Sequence, residues 1–423
     1  SRKGRIRMKG YQFEDTQGTF HLKKAENISY LYFPIAGEAG LKSSFTPNLG
    51  GDAKIDQNTF LLEPVSAENL VNNRNSRNFW CNVKGIGSWS LTGNAAEALS
   101  KKFTEMQDDS EVTAGFMWQK TTRESKKYQL RGEILSFIPV DKNVEIMLVT
   151  ITNTGRMAQT VTPTAAIPLY GRSADNIRDH RHVTSLLHRI ETTDTGVLVT
   201  PTLSFDERGH QVNHMTYYCV GWSGNGEKPV DFYPTAEDFV GEGGNFERPY
   251  AIVKNAEGVK AGTKIEGLEA VGGLHFSEIT LEPEEECSYL IFTGITEDIQ
   301  EIRNLSKTYT TREMVLEELE KTKAYWQEKV NVAYHTGDSD FNQFMHWVSF
   351  QPILRRIYGC SFLPHHDYGK GGRGWRDLWQ DCLALLIMNP DGVRQMLLDN
   401  FAGVRIDGSN ATIIGSKQGE FVA

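Results

Sequence analysis

The sequence lacks several features that mark other classes of protein. No apolar run reaches the roughly 18 residues that a membrane-spanning helix needs, so we predict no integral membrane protein. No long basic run is present, and 54 acidic against 45 basic residues give a net charge of −9, which disfavours nucleic acid as a partner. The first residues, Ser1 to Arg5, contain neither Met nor an apolar secretory segment. We therefore expect no secretory signal, and we expect that Ser1 is not the native N-terminus.

Cysteine is also scarce, with five in 423 residues. The number is odd and no C-x-x-C pair occurs, which disfavours a disulfide framework and a structural zinc site. Scattered buried thiols in a reducing cytosol fit this usage, so we expect a cytoplasmic protein. The five are Cys81, Cys219, Cys287, Cys360 and Cys382.

What the sequence has, from about residue 20 to 300, is a series of strand patterns. Runs rich in β-branched and aromatic residues alternate with turn clusters such as Gly224-Asn225-Gly226. So many strands with few helix signals predict a large antiparallel β-sandwich. The clearest runs are 30–33, 134–139, 145–153, 160–169, 196–203 and 215–222.

The pattern changes to helical near residue 297. Thr310 and Glu313 form a capping box that predicts a helix start, with Thr310 as the N-cap. The stretch 314–330 then carries larger or less polar residues at spacings of four, three and four, which is one helical face. We predict a linker helix packed on a neighbour through Val315, Leu319, Thr322 and Trp326.

Three more helices are predicted towards the C-terminus. They cover Phe341 to Ile357, Leu378 to Met388 as a buried apolar helix, and Gly392 to Phe401. The C-terminal third is therefore predicted to be all-α. Because so few helices cannot close a helical domain, we expect the sequence to stop inside one. One side of the first of these helices carries Phe344, Trp347, Val348, Gln351 and Leu354.

A loop rich in glycine, arginine, aspartate and tryptophan, from His365 to Asp381, leads into the second of these helices. Glycines let a backbone approach a ligand closely, and Asp and Arg form the paired hydrogen bonds that hold sugar hydroxyls. Tryptophan offers an apolar face to a pyranose. Asp377 and Asp381, four residues apart, share one face if helical. The pattern indicates a sugar pocket at a helix N-terminus.

Other interpretations of the same residues stay open. Asp377 can cap the helix, Arg376 can pair with it, and Trp379 can belong to the core. His365-His366 has no third ligand at a useful spacing for a metal. The segment Gly369–Gly374 lacks the G-K-[ST] ending of a phosphate-binding loop.

The motif R-G-x-R-D-x-x-Q-D at residues 373–381 resembles that of the inverting disaccharide phosphorylases of glycoside hydrolase family 94. The resemblance covers nearly all of the chain. Within the family, the chain is most similar to the 1,2-β-oligoglucan phosphorylases and to the phosphorylase part of cyclic β-1,2-glucan synthases. Gly371 stands where cellobiose-type members commonly have Arg, which argues against cellobiose. Flanking support comes from 74–80, 137–141, 153–154, 341–343, Gln351 and 407–409.

The resemblance implies a multidomain β + α fold. Its parts would be a large antiparallel β-sandwich (super-sandwich), a helical linker and the first part of a truncated (α/α)6 barrel. The expected boundaries are 1–297, 298–335 and 336–423.

The resemblance also implies an activity: phosphate attacks the anomeric carbon of a β-1,2-linked glucosyl residue with inversion, giving α-glucose 1-phosphate. The expected partners are β-glucan oligosaccharides, α-glucose 1-phosphate, phosphate, the remainder of the catalytic domain and a second copy in a homodimer. Phosphate is a co-substrate, and no cofactor or metal is expected. The implied substrate-binding residues are Arg373, Trp375, Arg376, Asp377, Gln380 and Asp381.

The catalytic acid is unassigned, because the family's general acid and phosphate site come from later segments. We expect the acid beyond Ala423, so residues 1–423 alone should be inactive. Two alternatives remain. Phosphorolysis of another β-glucoside such as cellobiose or a cellodextrin keeps the mechanism. In the second alternative, the chain belongs to an inverting hydrolase or is a non-catalytic carbohydrate-binding module, and the phosphorolytic mechanism does not apply.

Overall fold

The structure is a computed structural model that describes residues 10–28, 31–66, 69, 76–178, 180–206, 208–359, 373–415 and 419–422. Among these residues, no helix is long and apolar enough to cross a membrane.

Strands are the main regular secondary structure before residue 297 in the part of the chain that the structure describes. They are β1 Tyr11–Phe13, β2 Phe20–Lys23, β3 Phe33–Ala36, β4 Lys42–Phe45, β5 Ala53–Asp56, β6 Thr59–Phe60, β7 Asn78–Val83, β8 Gly87–Ser90, β9 Asp109–Gly115, β10 Trp118–Ser125, β11 Leu130–Phe137, β12 Val144–Asn153, β13 Gln159–Leu169, β14 Arg189–Thr192, β15 Gly196–Val199, β16 Leu203–Asp206, β17 Gly209–Val212, β18 Thr216–Ser223, β19 Asp231–Thr235, β20 Lys264–Glu266, β21 Ala270–His275, β22 Ile279–Leu281, β23 Glu286–Thr296, β24 Arg373–Gly374, β25 Ile413–Ile414 and β26 Phe421–Val422.

Helices are short within the strand-rich region and longer after it. They are α1 Ala96–Ser100, α2 Arg181–Thr184, α3 Ala236–Val240, α4 Tyr250–Val253, α5 Ile299–Thr308, α6 Arg312–Lys329, α7 Ser339–Tyr358, α8 Trp375–Met388 and α9 Val393–Phe401. Short 3-10 helices cover Ala25–Asn27, Ala174–Ile177 and Ser185–Leu187.

Two antiparallel sheets form the body of the molecule. The larger has eleven strands in the order β1-β2-β9-β10-β11-β12-β23-β18-β15-β14-β20. The smaller has the order β19-β21-β13-β7-β8, with β22 pairing to β13. The main hydrophobic core draws residues from both sheets. This confirms the large antiparallel β-sheet domain predicted from the strand patterns.

Strand β12 shows how both faces of the large sheet are covered. All ten of its residues are buried. Because successive side chains in a strand point to opposite faces, its residues divide into two sets. Met147 and Val149 join the core shared with the smaller sheet, whereas Ile146 and Leu148 join a second core. A strand covered on both faces needs a run of apolar residues, which Ile146 to Val149 provide, beside the buried charge of Glu145.

Helices α5 and α6 cover the second face of the large sheet. The buried residues of α6 are the four that the spacing predicted, Val315, Leu319, Thr322 and Trp326. The predicted cap is wrong by one residue, because the hydroxyl of Thr311 accepts the hydrogen bond from the Met314 backbone N–H. The Thr310 hydroxyl instead contacts the sulfur of Met314. Two successive threonines give the sequence two equivalent caps, and only the backbone geometry chooses between them.

A buried ion pair fastens the loop around residue 50 to the sandwich. The side chains of Arg77 and Glu145 are fully buried, and Arg77 Nη2 donates to Glu145 Oε1 at 2.8 Å. The Arg77 guanidinium also lies over the Phe45 ring and donates to the backbone carbonyl of Leu49 at 3.3 Å. The pair therefore has the additional hydrogen bonds that a buried charge requires.

Helix α7 is bound to the sandwich in its first half and at its end. In the first half, Trp347 Nε1 donates to the Gly18 carbonyl at 2.7 Å, and the Gly18 N–H donates to Gln343 Oε1 at 2.9 Å. At its end, the Tyr358 hydroxyl donates to the carbonyls of Ile35 and Ser43 at 2.9 and 2.6 Å. These contacts join residues more than 300 positions apart.

The C-terminal region departs from the sequence prediction in two respects. It is not all-α, because β24, β25 and β26 form a small antiparallel sheet beside α8. Helix α8 is not buried throughout, because Leu383, Leu386 and Ile387 are 70%, 54% and 68% exposed. On α7, Phe344 and Val348 of the predicted face are also exposed. The periodicity of apolar residues predicts which side of a helix is apolar. It does not predict which element, if any, packs against that side.

Four of the five cysteines lie in the described part of the chain, and all four are free thiols. Cys81, Cys219 and Cys382 are buried and Cys287 is partly buried. The prediction of scattered thiols is confirmed for these four, and Cys360 lies outside the described residues.

The cap of α6 gives a first test. Thr311→Ala removes the hydroxyl that accepts from Met314 N–H, so we expect the free energy of unfolding to fall by about 1 kcal/mol. Thr310→Ala is the matched control and should change it by less than about 0.5 kcal/mol. Urea unfolding of both variants measures the difference. A larger loss of unfolding free energy in Thr310→Ala than in Thr311→Ala would show that Thr310 is the N-cap.

His188 gives a second test, in the pH dependence of stability. Its imidazole is fully buried, and burial, with Arg172 nearby, lowers its pKa from the ordinary 6.5 to about 4. The unfolded chain then binds the proton more readily, so stability is present above pH 6.5 and falls as pH drops towards 4. We expect His188 to contribute about 3 kcal/mol to that loss.

The measurement is urea unfolding between pH 7 and pH 4. His188→Gln should flatten the dependence, whereas His182→Gln, at an exposed position, should preserve it. Parallel curves for the two variants would exclude His188 as the source.

Candidate active-site helix

The candidate site is built at the start of α8, where β24 enters the helix. Gly374 is the N-cap residue, and Asp377 lies in the first turn. A Cβ on Gly374 would stand 2.5 Å from Asp377 Oδ2. The carboxylate of Asp377 therefore occupies space that a side chain at position 374 would need. Arg373 is held beside it by pairing with Ile414 of β25. The small sheet thereby sets the angle at which the chain enters α8.

Asp377 is the accessible carboxylate of the pair predicted on this helix. Its side chain is about half exposed, and Arg376, which is 82% exposed, approaches it no closer than 3.5 Å. Gln380, one turn further on, is also exposed. Negative charge in the first turn of a helix is favoured by the helix dipole, and no side chain holds this carboxylate tightly among the described residues. It therefore has capacity to accept hydrogen bonds from a ligand.

Asp381 has a different environment. It is 3% exposed, and Arg355 of α7 holds it through Nε at 2.9 Å from Oδ1 and Nη2 at 2.6 Å from Oδ1. The hydrogen bonds from Arg355 to Asp381, with the charges of Asp381 and Asp377, raise the pKa of Arg355 above its ordinary value. The two carboxylates thus act on one guanidinium, but only that of Asp381 is bound to it.

The tryptophans of the motif pack within the protein. Trp375 Nε1 donates to the Asn400 carbonyl at 3.3 Å, and its ring meets that of Trp379 edge-on at 5.5 Å. Trp379 continues the contact to Phe401 of α9, with ring centroids 4.7 Å apart. Trp379 is only partly buried and Phe401 is 60% exposed, so this contact lies at the edge of the helix pair. These contacts link α8 to α9 at the end that carries the candidate site.

The structure brings the predicted residues together on the first two turns of α8 and the strand before it. Their roles as substrate ligands stay predictions. Residues 360–372, including His365-His366 and the glycine-rich stretch up to Gly372, lie outside the described residues. Sequence reasoning missed Arg355, although the basic pair Arg355-Arg356 near the end of a predicted helix was a usable signal. Its partner is on another helix, so spacing alone did not reveal it.

The arrangement offers carboxylate and guanidinium groups suited to binding hydroxyls. In the described ranges, no group of three or more His, Cys, Asp or Glu side chains is placed to hold a metal ion. What the described residues can do is accept and donate hydrogen bonds at one helix end.

Comparison with known families identifies the sandwich. The family model for the glycosyl hydrolase 94 supersandwich domain matches residues 65–312, which is more than half of the chain. The chain belongs to glycoside hydrolase family 94. This confirms the family that the motif at residues 373–381 predicted. The match lies in the sandwich, whereas the motif lies on α8, so two separate parts of the chain agree.

Individual relatives of this family 94 chain are distant. The cyclic beta-(1,2)-glucan synthase NdvB of Rhizobium meliloti (strain 1021) is 27% identical over 203 residues, which are 45% of this chain and 6% of the synthase. A bacterial glucoamylase solved in complex with acarbose is similar over 92% of this chain and 54% of its own, at a TM-score of 0.50 and 11% identity. A protein described as a kojibiose phosphorylase from human microbiome is similar over 92% of this chain and 48% of its own, with a TM-score of 0.48 and 9% identity. At 11% identity the likeness to the glucoamylase concerns the fold alone.

The two aspartates of α8 should respond differently to truncation. Asp381→Ala leaves Arg355 without its carboxylate, so we expect a loss of about 2 kcal/mol in unfolding free energy. That is below the roughly 3–5 kcal/mol of a fully buried pair, because the Arg355 side chain is 35% exposed. Asp377→Ala, at a half-exposed position, should cost less than about 1 kcal/mol. Thermal unfolding of both variants is the measurement, and equal losses would contradict the assignment.

Proposed function

We propose that this chain is part of an inverting glycoside phosphorylase that acts on β-1,2-linked glucooligosaccharides and releases α-glucose 1-phosphate. The observation that carries the proposal is the coincidence of a family 94 sandwich with the R-G-x-R-D-x-x-Q-D motif at the exposed start of α8. The β-1,2 linkage is supported by the similarity to a cyclic beta-(1,2)-glucan synthase, together with Gly371 at the position where cellobiose-type members have Arg.

The proposed reaction is a single displacement. A phosphate oxygen attacks the anomeric carbon of the non-reducing glucosyl residue and forms the new C–O bond with inversion. The glycosidic C–O bond breaks, and a carboxylic acid delivers its proton to the departing oxygen. No catalytic base is required, because phosphate replaces the activated water of a hydrolase.

In this proposal the residues of α8 bind and orient the donor sugar. Asp377 accepts hydrogen bonds from its hydroxyls, and Arg376 donates from the neighbouring exposed position. Asp381 and Arg355 hold α7 against α8, so the helix start keeps its position when the sugar enters. Hydrogen bonds to a charged group contribute about 1.5–3 kcal/mol each, which gives Asp377 a measurable share of the binding energy. The proton donor and the phosphate ligands are proposed to come from residues beyond Ala423.

We also propose that residues 336–423 are the first part of an (α/α)6 barrel. The support is the apolar surface of α8 and α9, where Leu383, Leu386, Ile387, Leu398 and Phe401 are exposed. Monomeric proteins seldom leave such a contiguous apolar face in water. Further helices of the same protein, packed on this face, would complete the barrel and bring the proton donor to Asp377.

The decisive experiment measures phosphate release from α-glucose 1-phosphate by the gene product that contains this chain. Sophorose, cellobiose, glucose and N-acetylglucosamine serve as separate acceptors. We expect release with sophorose, and a rate at least about 100-fold lower in Asp377→Ala, since a lost charged hydrogen bond is worth up to about 3 kcal/mol. Asp391→Ala, an exposed acid just after α8, is the matched control and should keep the unmodified rate. We expect residues 1–423 alone to release none.

Other outcomes have definite meanings. Release with cellobiose instead of sophorose keeps the mechanism and changes the linkage. Hydrolysis that does not depend on phosphate favours an inverting hydrolase, and no turnover at all favours a carbohydrate-binding role. A loss below about threefold in Asp377→Ala would leave Asp377 as a helix cap.

A further inference from the structure

A polar cavity lies in the sandwich, outside the α8 site. Its volume is about 130 Å³, and it opens where the 3-10 helix Ala25–Asn27, the turn after β8 and helix α1 meet. Its polar lining is dominated by charged and amide side chains, which is unusual for a gap left by core packing. These side chains are Glu26, Asn48, Asn94, Lys102, Asp108 and Arg123.

Arg123 is the most constrained of these groups. It is 8% exposed, and Nη2 donates to the Thr92 carbonyl at 3.2 Å. Its nearest carboxylate oxygen, Asp108 Oδ2, stands 3.8 Å from Nη1, beyond hydrogen-bonding distance. A guanidinium carries five N–H donors, and among the described residues the Thr92 carbonyl is the acceptor within hydrogen-bonding distance of Arg123. The remaining donors are therefore available to a ligand in the cavity.

The backbone beside Arg123 is shaped around its guanidinium. Gly93 has φ +80°, and a Cβ there would stand 2.6 Å from Arg123 Cζ. Conformation and space therefore both favour glycine at this position. The turn brings its backbone against the charged group instead of covering it with a side chain, and this leaves the cavity open.

The acids of the cavity also have unused capacity. Asp108 Oδ2 accepts from Trp89 Nε1 at 3.0 Å, and Glu26 Oε2 accepts from the Ser110 N–H at 2.9 Å. Across the described residues, the second oxygen of each carboxylate receives no hydrogen bond. The cavity thus offers donors and acceptors together.

The charges lining the cavity balance. Lys102 and Arg123 supply two positive charges, and Glu26 and Asp108 supply two negative charges. A site for phosphate or another anion would carry an excess of cations, and a cation site would carry an excess of acids. Balanced charges with spare donors and acceptors instead match a neutral ligand with several hydroxyl groups. The exposed apolar side chain of Leu99 at the rim suits the C–H face of such a ligand.

We propose that this cavity is a second carbohydrate-binding site, which holds one neutral glucosyl residue of an oligosaccharide. The choice of a glucosyl residue rests on the proposed function, whereas the choice of a neutral polyhydroxylated ligand rests on the cavity alone. A glucan bound here is held through one of its glucosyl residues, which is distinct from the glucosyl residue that reacts at α8.

The test measures binding of sophorose and glucose by saturation-transfer NMR, using residues 1–423 with Asp377→Ala so that the α8 site is impaired. Tryptophan fluorescence provides a second signal, because Trp89, one of the eight tryptophans, has its indole N–H bonded to Asp108. We expect saturable binding with a Kd of about 1–10 mM. α-Glucose 1-phosphate should bind no more tightly than glucose, because its anionic phosphate gains nothing from a charge-balanced cavity.

Two variants locate the binding. Asp108→Asn keeps the shape of the side chain and removes its charge, and we expect it to weaken binding at least tenfold. Asp109→Asn makes the same change at the exposed neighbouring residue, which does not line the cavity, and should leave binding within about twofold. Ala98→Phe, on α1, fills the cavity and should abolish binding.

Absence of saturable sugar binding would overturn the proposal, and so would equal affinities in Asp108→Asn and Asp109→Asn. Tighter binding of α-glucose 1-phosphate or of inorganic phosphate would overturn the neutral-sugar assignment. These failures are separate from failure of the proposed function. Phosphate release by the enzyme without sugar binding here refutes only the cavity, and sugar binding here without phosphate release refutes only the phosphorylase.

Discussion

The centre of the eleven-stranded sheet is buried on both faces, and the rest of the structure depends on covering it twice. Strand β12 is buried along its whole length, so water is excluded from both sides of the sheet at this strand. The smaller sheet covers one side and α5 with α6 covers the other. Burial of apolar surface on this scale is the dominant favourable term in folding. The helical linker is therefore part of the hydrophobic core of the sandwich and not a flexible tether.

This cover continues into the candidate site through α7. At the end of α7, Arg356 pairs with Glu38 of the sandwich at 2.7 Å, and the adjacent Arg355 pairs with Asp381 of α8. Tyr325 of α6 also donates to Glu38, at 3.1 Å. Two neighbouring residues thus connect the sandwich, the linker and the helix that begins at the candidate site. Rigid elements supported by such contacts hold binding groups more precisely than loops do.

The sequence allowed the sandwich, the linker helix and the family to be predicted, because each depends on local pattern. The buried face of α6 follows from spacing, and the motif at 373–381 is contiguous. Features that depend on distant partners were not predictable. The burial of Asp381 comes from Arg355 on another helix, and the exposure of Leu383 depends on what covers α8. The small sheet of β24 to β26 was not predicted, because each of its strands has only two residues and gives no recognisable strand pattern.

The contact between Gly18 and α7 has a consequence for the order of assembly. It joins the first hairpin of the chain to a helix more than 300 residues later. Contacts between residues so far apart in sequence form slowly, since the intervening chain must first be arranged. A ribosome releases the sandwich before α7 emerges, and domains fold as units during synthesis. The sandwich can thus fold before α7 is synthesised and provide the surface on which α7 packs. An error in the first hairpin would then affect folding only at the last step, when α7 fails to pack on the sandwich.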